Sequence, residues 1–221
     1  MLNGRLYRAA FLPFLLALGI AAFSLAVRPA PLTSTLAPDA FEGASTLAEL
    51  NSLAQRFPDR RPGSPEDQEL AIHVAHSLEA LGGTAGGGFT VHVRRFSAQT
   101  TSGERILSTV IAVRPGSTSE TPIAILAHRD AASAGAARAE LSGTAALLAL
   151  ARAFAARETR RTIVLVSTSA GSAGAAGAKD CAYMRSQLLG GGEGASRGSL
   201  DAAIVLGDLA DARARKPFVV P

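Results

Sequence analysis

Three polar residues stand where short apolar segments of the sequence end. His128 and Asp130 follow PIAILA (residues 122–127), and Asp208 follows AAIVL (residues 202–206). Ligands of open α/β sheets bind at the carboxyl ends of the strands, so these side chains are expected at one edge of a sheet. A histidine two residues before an aspartate suits metal binding, because the ring nitrogen binds zinc while a carboxylate orients the ring. An isolated pair of this kind is also common at protein surfaces.

The small-residue turn AGSAG at residues 170–174 offers a different chemistry. It lies between a predicted buried strand and a predicted helix, and it resembles a nucleophile elbow that would make Ser172 a serine-hydrolase nucleophile. That chemistry requires a histidine after the acid in chain order, and no histidine follows His128 in this sequence. A turn that lets the helix pack close to the sheet is therefore the favoured interpretation.

Two further groups are weaker candidates for a functional site. His73 and His76 are three residues apart on a predicted helix and could form a metal pair, but no cysteine or third histidine is near them in the sequence. A solvated helix face is favoured. Cys181, the sole cysteine, is expected to be a small packing residue rather than a nucleophile.

The elements that must position these residues follow from apolar periodicity and turn signals. Ser64, Pro65 and Asp67 mark a helix start as N-cap, first-turn proline and weak capping box, and that helix is expected to end near Leu81. Other helices are predicted at 41–57, 141–156 and 174–189, and strands at 91–96, 106–113, 122–127, 162–167 and 202–206. Buried strands alternating with helices predict an α/β fold with a mixed, largely parallel sheet flanked by helices.

The amino-terminal segment predicts a membrane anchor. Residues 9–27 form a run of 19 without a charge, about 28 Å long as a helix and thus close to the bilayer core. Arg5 and Arg8 precede it, which keeps residues 1–8 in the cytoplasm and places the rest outside. Residues 28–40 are then a linker, and residues 41–221 are an incomplete domain. A cleaved signal peptide, which would make the protein secreted, is the alternative.

Composition excludes several classes of protein. The chain has 221 residues, of which 48% are hydrophobic and 18% charged. This excludes a wholly disordered chain and a coiled coil. A single cysteine excludes an internal disulfide framework. The net charge of +4 comes mostly from scattered arginines, and only 5% of residues are aromatic, so nucleic-acid binding is not expected.

The order of these motifs resembles a known family. The strand ending in His128-Arg129-Asp130 precedes GAARAELSG (135–143), a helix, the strand TIVLVS (162–167), a glycine-rich turn, and VLGDL (205–209). The sequence RPGSPEDQ (61–68) resembles the start of the family's first helix. From about residue 45 the series is similar to the co-catalytic di-zinc exopeptidases of peptidase family M28, which implies two zinc ions at the carboxyl edge of the sheet.

The resemblance assigns roles to three residues. His128 matches the first zinc ligand, Asp130 the aspartate that orients it, and Asp208 the aspartate that completes the same zinc site. Ala139 stands where the bridging aspartate is expected, and Glu140 could replace it only if the loop shifts. His128 and Asp208 are 80 positions apart, yet they are predicted to converge on one ion. In the alternative, Asp208 caps a turn and His128 faces water.

The same comparison predicts a damaged site. The paired glutamates, the general base and a second-zinc ligand, correspond to Gly171 and Ser172, and the last zinc-binding histidine would lie beyond Pro221. A catalytic zinc normally has three protein ligands, and each half-site here has at most two. The expectation is a catalytically degenerate, truncated relative of the metallo-aminopeptidases that binds zinc weakly or not at all. The alternative is a non-catalytic module that binds peptides or packs against a protein partner.

Overall fold

The computed structural model describes residues 11, 13–16, 41–83, 88–133, 137–181 and 200–210. Its contacts divide the chain into two units, Met1–Pro38 and Asp39–Pro221. The first unit contributes only the helical residues 11 and 13–16. No helix among the described residues is both long and apolar enough to span a bilayer. Most of the predicted anchor at 9–27, and all of the predicted linker at 28–40, lie outside the described residues.

The second unit is a five-stranded mixed sheet with helices on its faces. Its helices are α1 (Gly43–Arg56), α2 (Pro65–Glu79), the short α3 (Ala137–Glu140) and α4 (Ser142–Ala155), with a 3₁₀ turn at Ala80–Gly83. Its strands are β1 (Thr90–Thr100), β2 (Gly103–Arg114), β3 (Ile123–His128), β4 (Ile163–Thr168) and β5 (Ala202–Leu206). Each strand predicted from the sequence is present. Residues 176–181 are helical, and the rest of the helix predicted at 174–189 lies outside the described residues.

The strand order β1-β2-β4-β3-β5 corrects one prediction. β3 pairs in parallel with both β4 and β5, but β2 is antiparallel to both β1 and β4. The sheet is therefore mixed rather than largely parallel. A hairpin explains the first of these antiparallel pairings: Thr100 pairs with Gly103, so a two-residue turn joins β1 to β2.

The alternation of side chains across the sheet produces two apolar layers. One face of the central strands, including Val110, Ile125 and Leu165, belongs to the main core together with residues of α1, α2 and α4. Ile111 and Val164 point to the opposite face, where Cys181 covers them. β4 is buried along its whole length and β3 is buried or half-buried along its own, which fixes the carboxyl ends of these two strands. β5 lies at the edge of the sheet and is exposed from Ala202 to Val205, so the prediction of a buried strand at 202–206 is wrong in its burial.

Helix α2 begins as the sequence predicted, with one difference. The Ser64 hydroxyl accepts a hydrogen bond from the Asp67 amide at 3.2 Å, and Pro65 is the first helical residue. The Asp67 carboxylate bonds to the Gly63 amide rather than to that of Ser64. It is fully buried and reaches inward, so it does more than close a capping box.

Replacing Ser64 with alanine should lower the free energy of unfolding by about 1 kcal/mol, because the Asp67 amide loses its acceptor. Chemical denaturation measures the change. Ser77 lies on the same helix and bonds only backward to the His73 carbonyl, so Ser77→Ala is the matched control and should change stability little. Equal losses in the two variants would contradict the capping role.

Candidate functional site

The candidate site lies where three parallel strands end. His128 is the last residue of β3 and is paired with Thr168 at the end of β4, and Ala127 is paired with Leu206 at the end of β5. The loop after β3 and the turns after β4 and β5 therefore meet at one sheet edge. The Thr144 hydroxyl of α4 bonds to the His128 carbonyl at 2.9 Å and fastens the end of β3 from the helix side.

His128 and Asp208 converge at this edge. His128 Nε2 lies 3.7 Å from Asp208 Oδ1, and their side chains are 21% and 45% exposed. The predicted proximity of the two side chains is confirmed, and their binding of one ion stays a prediction. His128 is only partly exposed, so the alternative in which it simply faces water is not supported.

Asp130 lies on the inner side of the histidine and is fully buried. Its Oδ1 is 3.6 Å from His128 Nδ1, which is an ion-pair distance rather than a hydrogen bond. The Asp130 carboxylate raises the pKa of His128 against the opposing effect of burial, and Asp208 adds to the rise. Burial raises the pKa of Asp130, but contacts with His128, Ser172 and the Gly171 amide outweigh it, so the net shift is downward.

Asp130 also holds the turn after β4. It accepts hydrogen bonds from the Gly171 amide at 2.8 Å, the Ser172 amide at 3.0 Å and the Ser172 hydroxyl at 2.5 Å. The Ser172 hydroxyl thus donates to a carboxylate rather than to an imidazole. This arrangement gives no support to Ser172 as a nucleophile activated by histidine.

The remaining predicted site residues supply no third ligand. Ala139 has no side-chain donor atom, and its carbonyl accepts a hydrogen bond from Ser142. The Glu140 carboxylate accepts one from the Ala132 amide at 3.0 Å. Among residues 41–83, 88–133, 137–181 and 200–210, no three histidine, cysteine or acidic side chains cluster closely enough to hold a metal ion. The residues present do not fit a pair of zinc ions, which requires a bridging anion and at least three protein ligands for the catalytic ion.

Sequence reasoning missed a buried ion pair behind the site. Arg129 and Asp67 are both fully buried, with Arg129 Nε 2.9 Å from Asp67 Oδ1. Arg129 also donates to the carbonyls of Ser167 at 3.0 Å and Ser108 at 2.7 Å. Burial raises the pKa of Asp67 and lowers that of Arg129, and the opposite charge of the partner counters both shifts. The signal that could have found the pair was an arginine directly after an apolar strand.

The two histidines on α2 lie away from this edge. His73 and His76 line a groove of about 230 Å³ with Arg56, Phe57, Glu69 and Ile72. The His73 ring lies 5.9 Å from the Phe57 ring, and burial, helped by the Arg56 charge, lowers the pKa of His73. The cation beside the pair disfavours a metal ion.

Cys181 is a buried packing residue, as the sequence predicted. It covers Ile111, Val164 and Val166 on one face of the sheet. Burial, with a smaller contribution from Asp180, raises the pKa of its thiol to about 11.

Alkylation of native Cys181 by iodoacetamide should therefore be slow at pH 8 and should rise about tenfold per pH unit, since only the thiolate reacts. Mass spectrometry of the native and guanidinium-unfolded chain measures the difference. The unfolded chain should react at the rate of an ordinary thiol. Equal rates in the two states would contradict the burial of Cys181.

The central part of the chain matches the model of a known family. Residues 109–203 match the model of peptidase family M28, a range that includes β3, β4 and the turn after β4. No curated protein sequence matches the chain significantly.

Solved structures share the fold. Two structures of glutaminyl cyclase from Porphyromonas gingivalis are 18% and 15% identical to this chain, with TM-scores of 0.58 and 0.57. Each alignment covers 77% of this chain, and 60% and 62% of the respective cyclase chain. A leucine aminopeptidase precursor from Bacteroides thetaiotaomicron is 21% identical over 57% of this chain and 46% of its own, with a TM-score of 0.48.

At these identities the two cyclase structures establish the fold alone, and the chain spans about 60% of the length of the cyclases it matches. The family match includes the strand that ends in His128 and the glycine-rich turn after β4. Residues 109–203 of this chain match the model of peptidase family M28, the family that the order of the sequence motifs predicted.

Proposed function

We propose that this chain is a membrane-anchored, extracytoplasmic member of the di-zinc exopeptidase type of family M28 that has lost peptide hydrolysis. The observation that carries the proposal is the donor set at the sheet edge. His128 and Asp208 converge there at 3.7 Å, while the family's bridging aspartate and paired glutamates correspond to Ala139, Gly171 and Ser172. Two ligands hold zinc weakly, and without a carboxylate in the general-base position a water molecule has no proton acceptor.

In this proposal each of the three remaining site residues keeps a structural role. Asp130 orients His128 and holds the turn after β4, and Asp208 faces the outer ring nitrogen of His128. The chain's own groups neither bridge a second metal ion nor accept a proton at position 171. The domain therefore acts by binding, and peptides are the ligand class that the family match favours.

The test uses the full-length chain purified in detergent. Its zinc content is measured by elemental analysis. Its hydrolytic activity is measured with aminoacyl anilides, and its cyclase activity with a peptide that begins with glutamine. The zinc content and both activities of the wild-type chain should equal those of the His128→Ala variant, which is the matched control. About two zinc ions per chain, together with hydrolysis or cyclisation that His128→Ala abolishes, would overturn the loss of catalysis.

The membrane orientation needs a separate test, since it rests on Arg5 and Arg8 before the apolar run at 9–27. A reporter fused after residue 40 should be active only if its enzyme works outside the cytoplasm. Activity of a cytoplasm-only reporter would reverse the assignment.

A further inference from the structure

The turn after β4 touches the base of the His128 side chain. A Cβ atom placed on Gly171 would overlap the Cβ and Cγ of His128 and would lie 3.0 Å from its Cδ2. The overlapped atoms are the first ones beyond the β3 backbone, so rotation of the ring cannot clear them. Only a glycine fits at position 171 while His128 and the turn keep their places.

Hydrogen bonds prevent the turn from moving away. Asp130 binds the amides of Gly171 and Ser172 and the Ser172 hydroxyl, all from a fully buried carboxylate. At the far end of the turn, a Cβ on Gly177 would overlap the Ser169 carbonyl, so the chain is tightly packed there too. The Arg129 amide donates to the Thr168 carbonyl at 3.0 Å and joins the ends of β3 and β4 directly.

We infer that Gly171 and Asp130 are positioning residues that hold His128 against the turn after β4, and that His128 itself occupies the space that a carboxylate side chain at position 171 would need. The loss of the glutamate is then more than a single substitution, because His128 and the backbone of the turn leave no space for a side chain at position 171. Restoring carboxylates at positions 139, 171 and 172 does not restore a metal site in this chain. The inference extends the proposed loss of hydrolysis, but it depends on packing and can be tested apart from it.

A double-mutant cycle in the full-length chain tests the contact. Gly171→Ala should lower the Tm by about 5–10 °C, since the new methyl group overpacks the end of β3. His128→Gly in the same chain removes the overlapped Cβ and Cγ together with the ring, so the double variant should lose clearly less than the sum of the two single losses. Gly207→Ala is the matched control, because a Cβ there meets nothing within 4 Å. Additive losses, or a Gly171→Ala variant as stable as the Gly207→Ala variant, would overturn the inference.

Zinc binding gives a second readout that does not depend on activity. The triple variant Ala139→Asp/Gly171→Glu/Ser172→Glu should take up no more zinc than the wild type and should be less stable. Stoichiometric zinc with an unchanged Tm would show that the space is open and would overturn the inference. If the triple variant fails to fold, the double-mutant cycle decides. Zinc or hydrolysis in the wild-type chain would instead count against the proposed function, so the two failures are distinguishable.

Discussion

Arg129→Met should destabilise the domain by about 3–5 kcal/mol, the largest single loss expected from this structure. The substitution leaves the Asp67 carboxylate buried without its cation, and an uncompensated buried charge costs about this much. The carbonyls of Ser167 and Ser108 also lose a donor. Urea or thermal unfolding of the full-length chain measures the loss.

The pH dependence of the Arg129→Met variant provides a second readout. Burial raises the pKa of Asp67 in the folded state, so above that folded pKa the ionised carboxylate costs stability, and the cost disappears as the pH falls below the unfolded pKa. Removing the cation raises the folded pKa further. The loss caused by Arg129→Met should therefore be larger at pH 7 than near pH 4.

Two controls separate the ion pair from a general effect of losing an arginine. Asp67→Asn/Arg129→Met removes both charges and keeps an acceptor for the Gly63 amide and the Ser169 hydroxyl, so it should be more stable than Arg129→Met alone. Arg61 pairs with Asp59 at the surface, with side chains 70% and 48% exposed, and Arg61→Met should leave stability unchanged. A double variant as unstable as the sum of the two single variants would contradict the ion-pair explanation.

Local signals in the sequence predicted most of the fold. The helix start at Ser64-Pro65 was found because capping is decided by neighbouring residues. β3, β4 and β5 were found because each is a short apolar run of strand length that polar residues bound, although β5 is exposed rather than buried. The hairpin between β1 and β2 was missed, because the strands extend beyond their apolar stretches through the polar sequence at 97–105, which carries no apolar pattern.

The site was predicted in part for the same physical reasons. His128 and Asp208 could be brought together from the sequence, because the carboxyl ends of parallel strands must meet at one edge. The pairing of Arg129 with Asp67 could not, since it joins residues 62 positions apart through the interior. The contact between His128 and Gly171 was equally hidden, because it depends on the separation of two backbones rather than on residue types.

Gly143→Ala should disturb the fold and the site together. Gly143 lies in the first turn of α4, and a Cβ there would lie 2.6 Å from the Leu206 carbonyl oxygen and 3.1 Å from that of Gly207. Both are backbone atoms at the end of β5, so the strand or the helix must move, and overpacking of this kind costs about 1–3 kcal/mol.

The movement should also separate Asp208 from His128, which are 3.7 Å apart in the wild type. Asp208 contributes to the raised pKa of His128, so in Gly143→Ala that pKa should fall toward its ordinary value, as measured by NMR of the imidazole. Gly43 begins α1, and a Cβ there meets nothing within 4 Å, so Gly43→Ala is the control and should leave stability unchanged or slightly higher. If Gly143→Ala alters neither stability nor the His128 titration, α4 does not hold β5 and its aspartate in place.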